Sequence, residues 1–219
     1  ILTQLISILK GSPVTNTMLE VATSSNLWVN LFIMVLCAPV AEELIFRKLL
    51  IDRLAQYGEG VAVLFSGLMF GLFHGNLNQF VYAFVLGLCF GFIYVKTGNI
   101  RYTIGLHMLV NFLGSVLGVA ILKWLGDDFL SIASDPAGMM SYMTGNFGKL
   151  IVYFIYIFLL LGVAIAGIIL FIVNLKKIRF QPGMNTIPKG KRLSTTVLNV
   201  GMALYMIVWI VIIIVQLFQ

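Results

Sequence analysis

Charge is scarce in this sequence. Only 10% of its 219 residues are charged and 60% are hydrophobic, whereas a soluble domain carries roughly a quarter charged residues. That excludes an ordinary water-soluble fold, and a mean hydropathy of +1.04 marks one polytopic membrane domain. Cysteine is nearly absent. Cys37 and Cys89 both lie in apolar runs and are expected as packed free thiols, which excludes a disulfide scaffold. Acid is missing from the apolar segments except for one adjacent pair, Glu42 and Glu43. Histidine occurs twice, at His74 and His107, both times inside apolar sequence. No His-Glu-x-x-His stretch is present, so the zincin arrangement is absent. Asp127 and Asp128 share a loop instead of occupying two spans, which speaks against an aspartyl dyad. Ser66, in Phe65-Ser66-Gly67, lacks the extra small turn residue expected beside a nucleophilic serine.

What is present organises itself into six apolar segments near the 20 residues a spanning helix needs. They run from about Leu27 to Phe46, Val61 to Gly75, Phe80 to Val95, Tyr102 to Leu122, Leu150 to Val173 and Val197 to Leu217. The second is short. The first is expected to continue as an amphipathic helix to Tyr57, because Leu49, Leu50 and Leu54 alternate with Lys48, Asp52 and Arg53. The fold class expected is therefore all-α, a polytopic transmembrane helix bundle. Residues 1–219 form a single domain, with a core at 27–122, an outer loop after it and two further spans. The segment Ile1–Leu9 is apolar but too short to span, and the chain begins without Met. It is expected to be the stub of a further transmembrane helix.

The net charge of +6 is local. Lys176, Lys177, Arg179, Lys189, Lys191 and Arg192 share one loop without an acid among them. Arg47, Lys48 and Arg53 follow span one, and Lys96 and Arg101 separate spans three and four. These loops alternate with neutral or acidic ones, as the positive-inside rule requires of six spans with the basic loops cytoplasmic. The basic loop is thus a topogenic signal and no nucleic-acid partner is expected. Glycines recur four apart at Gly67, Gly71 and Gly75, at Gly87 and Gly91, and at Gly114 and Gly118. Such strips let helix backbones approach closely.

An ionisable group in a bilayer is costly unless paired or facing water, so it marks a functional site by default. On a helix, Glu43 and Arg47 are four apart and can pair, while Glu42 points about 100° away. One carboxylate is neutralised locally and the other faces something else. Pro39 removes a backbone hydrogen bond just upstream and is expected to kink the helix. His107 and Asn111 are four apart and share a face. Buried polar groups need partners, and the simplest partners for Glu42, His74, His107 and Asn111 are one another. A carboxylate beside an imidazole can deprotonate water, and a second imidazole with a carboxamide can stabilise an oxyanion. The same residue types serve a second version equally well, a divalent metal such as zinc on Glu42, His74 and His107 with a water in the open position. Simple depth counting opposes convergence. His74 lies about 20 Å along its span and His107 about 8 Å along its own.

Three motifs, Glu42-Glu43-x-x-x-Arg47, Phe70-x-x-x-His74 and His107-x-x-x-Asn111, resemble the signature of the CAAX-protease and bacteriocin-processing (Abi) family of intramembrane proteases. They stand in the family's order, without a departure, over about Leu27 to Leu122. The resemblance implies an intramembrane endopeptidase acting on a membrane-associated, lipidated or unlipidated, peptide or protein. It implies Glu42 and His74 as activators of water, Glu43 and Arg47 as keepers of shape and charge, and His107 and Asn111 as the oxyanion site. Both a metal-dependent and a metal-free mechanism go with the family. The short loops resemble bacterial members, which implies a bacterial cell membrane. The alternative is a non-catalytic immunity or interaction protein with the same fold. A transporter reading would call for two related halves with broken helices, and none is visible.

Overall fold

A computed structural model describes Gly11 and residues 17–218, apart from 127, 186, 192–193 and 196–197. The apolar stretch Ile1–Leu9, Asp127 and Arg192 lie outside the described residues, as does Val197, the expected start of the last span. Among the described residues there are eight helices and no strand: α1 Thr17–Ser24, α2 Leu27–Tyr57, α3 Glu59–Phe73, α4 Leu77–Thr97, α5 Ile100–Leu125, α6 Phe129–Ile132, α7 Pro136–Lys177 and α8 Val200–Leu217. The all-helical bundle is as expected. Five helices, α2, α4, α5, α7 and α8, are long and apolar enough to cross a membrane. The second expected span, α3, has 15 residues. It is bounded by glycines at positive φ, Gly58 before it and Gly75 after it.

Side-chain caps set where the long helices start. Asn26, Asn76, Asn99, Asp135 and Asn199 each accept a backbone N–H from the first turn of α2, α4, α5, α7 and α8, as short polar side chains do at N-caps. The caps place the starts of α4 and α5 two to three residues before the apolar runs suggest. Asp135 with Pro136 behind it has a larger effect. It turns most of the expected outer loop into helix, so α7 begins at Pro136, not near Leu150. The dihedrals at Asn146 (φ −129°, ψ 26°) break that helix locally, and Leu125, Phe129 and Leu150 bury one another beneath it.

Close packing is concentrated between α3 and α4. A Cβ built on Gly87 would lie 2.8 Å from the Gly67 Cα, and one on Gly71 would lie 3.0 Å from Phe84 Cβ. These two expected strips do join backbones. The third does not, since nothing lies within 4 Å of a Cβ at Gly114. Phe46, Phe70 and Ala83 form the core beside the site, and Ile51, Ala62 and Tyr94 form a second one towards the loops. Cys37 and Cys89 are free but exposed on outward helix faces instead of packed inside. The loops expected to be basic meet at one end of the bundle. Glu59 pairs with Lys96 and accepts the Gln181 N–H at 2.8 Å, and the Asn185 N–H reaches the Gln56 carbonyl.

α2 is not wound evenly. Asn30–Cys37 and Leu44–Ile51 are π-helical, and the short α-helical piece Ala38–Glu43 lies between them. π-Turns inside helices are frequent at functional sites. Here they bracket the two glutamates. Pro39 begins the α-helical piece, so the wider turn takes up what was expected as a kink.

Candidate active site

Glu43 and Arg47 form the expected pair and are fully buried. Arg47 Nε donates to Glu43 Oε2 at 2.9 Å and Nη2 to Oε1 at 3.2 Å. Its remaining arm, Nη1, donates to Ser66 Oγ at 2.6 Å, and Ser66 donates on to the Phe46 carbonyl at 2.8 Å. Ser66 is therefore a buried anchor for the guanidinium, a role its sequence context did not announce. The rings of Phe70 and Phe90 lie 4.8 Å and 5.8 Å from the guanidinium carbon, so the cation is held by π faces as well as by charge.

His107 sits between the two carboxylates. Its Nδ1 is 3.1 Å from Glu43 Oε1 and its Nε2 is 3.7 Å from Glu42 Oε2. An ionised carboxylate only accepts, so Nδ1 carries a proton and donates it to Glu43. That leaves Nε2 as the ring atom facing Glu42. The Glu42 Oε2 atom is buried and has no hydrogen-bond partner among the described residues. As the helix geometry requires, Glu42 turns away from Arg47 and lines a cavity of about 580 Å³ together with His74, His107 and Asn111. Tyr82 and Gln79, hydrogen-bonded to each other at 2.9 Å, line its α4 side. Most of the remaining wall is apolar, including Ile33, Met34, Leu86, Val110 and Val119.

His74 caps the end of α3. Its Nδ1 lies 2.8 Å from the Phe70 carbonyl one turn back. A carbonyl only accepts, so Nδ1 bears the proton and Nε2 keeps its lone pair in the neutral ring. The expected difference in depth between the histidines is bridged by an aromatic ring. Phe70 packs edge-on against His74, with centroids 4.8 Å apart, and against His107 at 5.5 Å. The first residue of the Phe70-x-x-x-His74 motif is thus the spacer that brings both imidazoles to one cavity.

Two expectations are altered by this geometry. Among the described residues, no three His, Cys, Asp or Glu side chains form a group able to hold a metal ion. Glu42, His74 and His107 line one cavity but do not gather as ligands. The Phe70 ring packs against both imidazoles, with centroids 4.8 Å and 5.5 Å away. As arranged, these residues do not fit a three-ligand metal site. Asn111, expected at the oxyanion, donates from Nδ2 to the Met34 carbonyl on α2 at 2.8 Å.

Residues 24–113, which carry all of these side chains except Val119, match the protein-family model for the type II CAAX prenyl endopeptidase, Rce1-like. The chain is 26% identical over 150 residues to the membrane-embedded CAAX protease MroQ of Staphylococcus aureus (strain USA300), covering 65% of this chain and 58% of that protein. It is 32% identical over 74 residues to YdiL of Bacillus subtilis (strain 168), a protein described as a candidate membrane peptidase, covering 33% of this chain and 30% of that one. The chain thus spans less than two thirds of the length of either relative. No solved structure matches. Over the helices that build the cavity, this chain is similar to the Rce1-like type II CAAX prenyl endopeptidases.

Proposed function

We propose that this protein is an intramembrane endopeptidase that hydrolyses a peptide bond with water activated by Glu42. One observation carries the reading. Glu42 keeps a buried carboxylate oxygen without a hydrogen-bond partner at the cavity wall, while Glu43 beside it is consumed by Arg47 and His107. A carboxylate held in that state in a membrane protein is a base waiting for a proton. In the proposed reaction the water lies between Glu42 and the free Nε2 of His74. Glu42 takes one of its protons as the water oxygen bonds to the carbonyl carbon. The carbonyl π pair moves onto oxygen, where His107, protonated on both nitrogens, donates from Nε2. Collapse restores the carbonyl, breaks the C–N bond and passes the proton from Glu42 to the departing amine. Glu43, itself held by Arg47, holds His107 by Nδ1, and neither takes part in the transfer.

The largely apolar cavity suits a peptide presented at or within the bilayer. The names of the family and of MroQ point to prenylated or otherwise lipidated substrates. The relatives are bacterial, so the setting we propose is a bacterial cell membrane, with the basic end of the bundle in the cytoplasm. The test is cleavage of a quenched lipidated peptide by the purified protein in detergent. Glu42→Ala and His74→Ala should each lower kcat by about 100-fold or more, the scale of general acid–base catalysis. Undiminished cleavage by both variants refutes the assignment. Activity measured with and without a chelator, alongside bound metal, separates the side-chain mechanism from a metal-assisted one.

A further inference from the structure

We infer that Asn111 is a positioning residue, which clamps α5 to a carbonyl of α2 that Pro39 leaves without a helical partner. The argument begins in the backbone of α2. In an α-helix the Met34 carbonyl would accept from Ala38 N–H. Here Ala38 N–H bonds to the Ile33 carbonyl, five residues back, because Asn30–Cys37 is wound wider. In that wider register the donor to Met34 belongs to residue 39. Residue 39 is proline, which has no N–H. Both helical donors are thus removed from the Met34 carbonyl within a largely apolar helix bundle, where an unpaired carbonyl is costly. Asn111 Nδ2 fills the place at 2.8 Å.

The clamp is braced from below. Ser115 Oγ donates to the Asn111 carbonyl at 2.6 Å. The Ser115 carbonyl accepts from Asn30 Nδ2 at 3.1 Å, and Asn30 begins the π-helical stretch. α5 therefore grips that stretch at its first residue and again at Met34. About two turns further on, α2 carries Glu42 and Glu43. One turn before Asn111, α5 carries His107, which meets both glutamates. The Asn111–Met34 bond thus sets the spacing of α2 and α5 where Glu42 must face His107. The clamp is a matter of backbone hydrogen bonding alone. Its effect on catalysis rests on the peptidase reading.

The test restores the missing donor. Pro39→Ala and Pro39→Leu each return an N–H that the Met34 carbonyl can accept within its own helix. Each is combined with Asn111→Ala and with Asn111→Asp, which keeps the shape but loses the donor. Stability is read as the SDS midpoint of the protein in detergent, in the Glu42→Ala background so that activity plays no part, and kcat and KM are read with Glu42 intact. In the Pro39 protein, either Asn111 variant should lower the SDS midpoint and reduce kcat by about tenfold with little change in KM. With Ala or Leu at 39, the shift in midpoint should largely vanish and the loss in kcat fall to about threefold or less. Equal losses in both backgrounds, in midpoint or in kcat, overturn the clamp. Coupling in the midpoints from a protein that cleaves nothing upholds the clamp and refutes the peptidase reading. Cleavage without coupling does the reverse.

Discussion

Replacing Arg47 with Met isolates the energetic weight of the buried ion pair. Met keeps most of the length and the apolar contact with Phe70 and Phe90 but removes the charge. Both side chains of the pair are 0% exposed. Arg47 makes three hydrogen bonds, two to Glu43 and one to Ser66. Ser66 retains the Phe46 carbonyl as acceptor, so little is lost there. Glu43 loses its guanidinium and keeps the His107 Nδ1 contact at 3.1 Å and a Thr103 hydrogen bond. Breaking a buried pair by removing one partner costs about 3–5 kcal/mol, most of it the charge left behind. Because His107 remains, the expected loss lies at the lower end, about 3 kcal/mol. If the orphaned carboxylate is the cause, adding Glu43→Gln should recover roughly half of that loss. Arg47→Lys should fall between wild type and Met, since an ammonium keeps the charge but not the forked geometry. The assay is SDS-driven unfolding in detergent micelles followed by tryptophan emission. A loss under about 0.5 kcal/mol for Arg47→Met, or strict additivity of the Glu43→Gln and Arg47→Met losses, would refute the reasoning.

Two further outcomes follow from positions away from the site. Gly87→Ala should cost about 1–3 kcal/mol in the same assay, because its new methyl meets the Gly67 backbone, whereas Gly105→Ala, with nothing within 4 Å, should be neutral or slightly stabilising; equal effects would refute the backbone-contact account of α3 and α4. At the basic end, burial pushes the Glu59 carboxyl up, but Lys96 and the Gln181 N–H outweigh it and hold the group below the ordinary carboxylate range. The stabilisation this gives is present above the unfolded-state value and fades as pH falls through the folded one. The protection factor for hydrogen exchange around Gln181, with the intrinsic rate at each pH divided out, should therefore fall below about pH 4.5 in wild type and be already low and pH-independent in Glu59→Gln. An unchanged profile in that variant would remove Glu59 as the anchor.

The parts of the site that local spacing determines were legible beforehand. Glu43 and Arg47 are one helical turn apart and pair, and Glu42, the next residue, faces the cavity. Some contacts that form only through tertiary packing were not legible. Ser66 reads as a small polar residue on an apolar helix until Arg47 needs a third acceptor. Phe70 reads as one more aromatic until two histidines at different depths both pack on it. The outer loop was misplaced because apolar content located the start of the fifth span, while the Asp135–Pro136 cap starts the helix well before the apolar run. The expected metal set was a correct list of side chains near one cavity. Among the described residues those side chains line the cavity without gathering into a three-ligand group.

The hardest feature to read was the register of α2. Counting at 3.6 residues per turn assigns the Met34 carbonyl to Ala38 and makes Pro39 a source of bending. The wider winding of Asn30–Cys37 changes which carbonyl the proline leaves unpaired, and nothing in the apolar run announces that winding. Once it is known, the proline on α2 and the asparagine on α5 explain each other across a sequence separation of 77 between Met34 and Asn111. A carbonyl with no donor in its own helix needs one from a neighbour, and the side chain that supplies it lies one turn from His107. The residue pattern His107-x-x-x-Asn111 therefore joins two requirements on one helix face, contact with the glutamates and repair of the backbone that carries them.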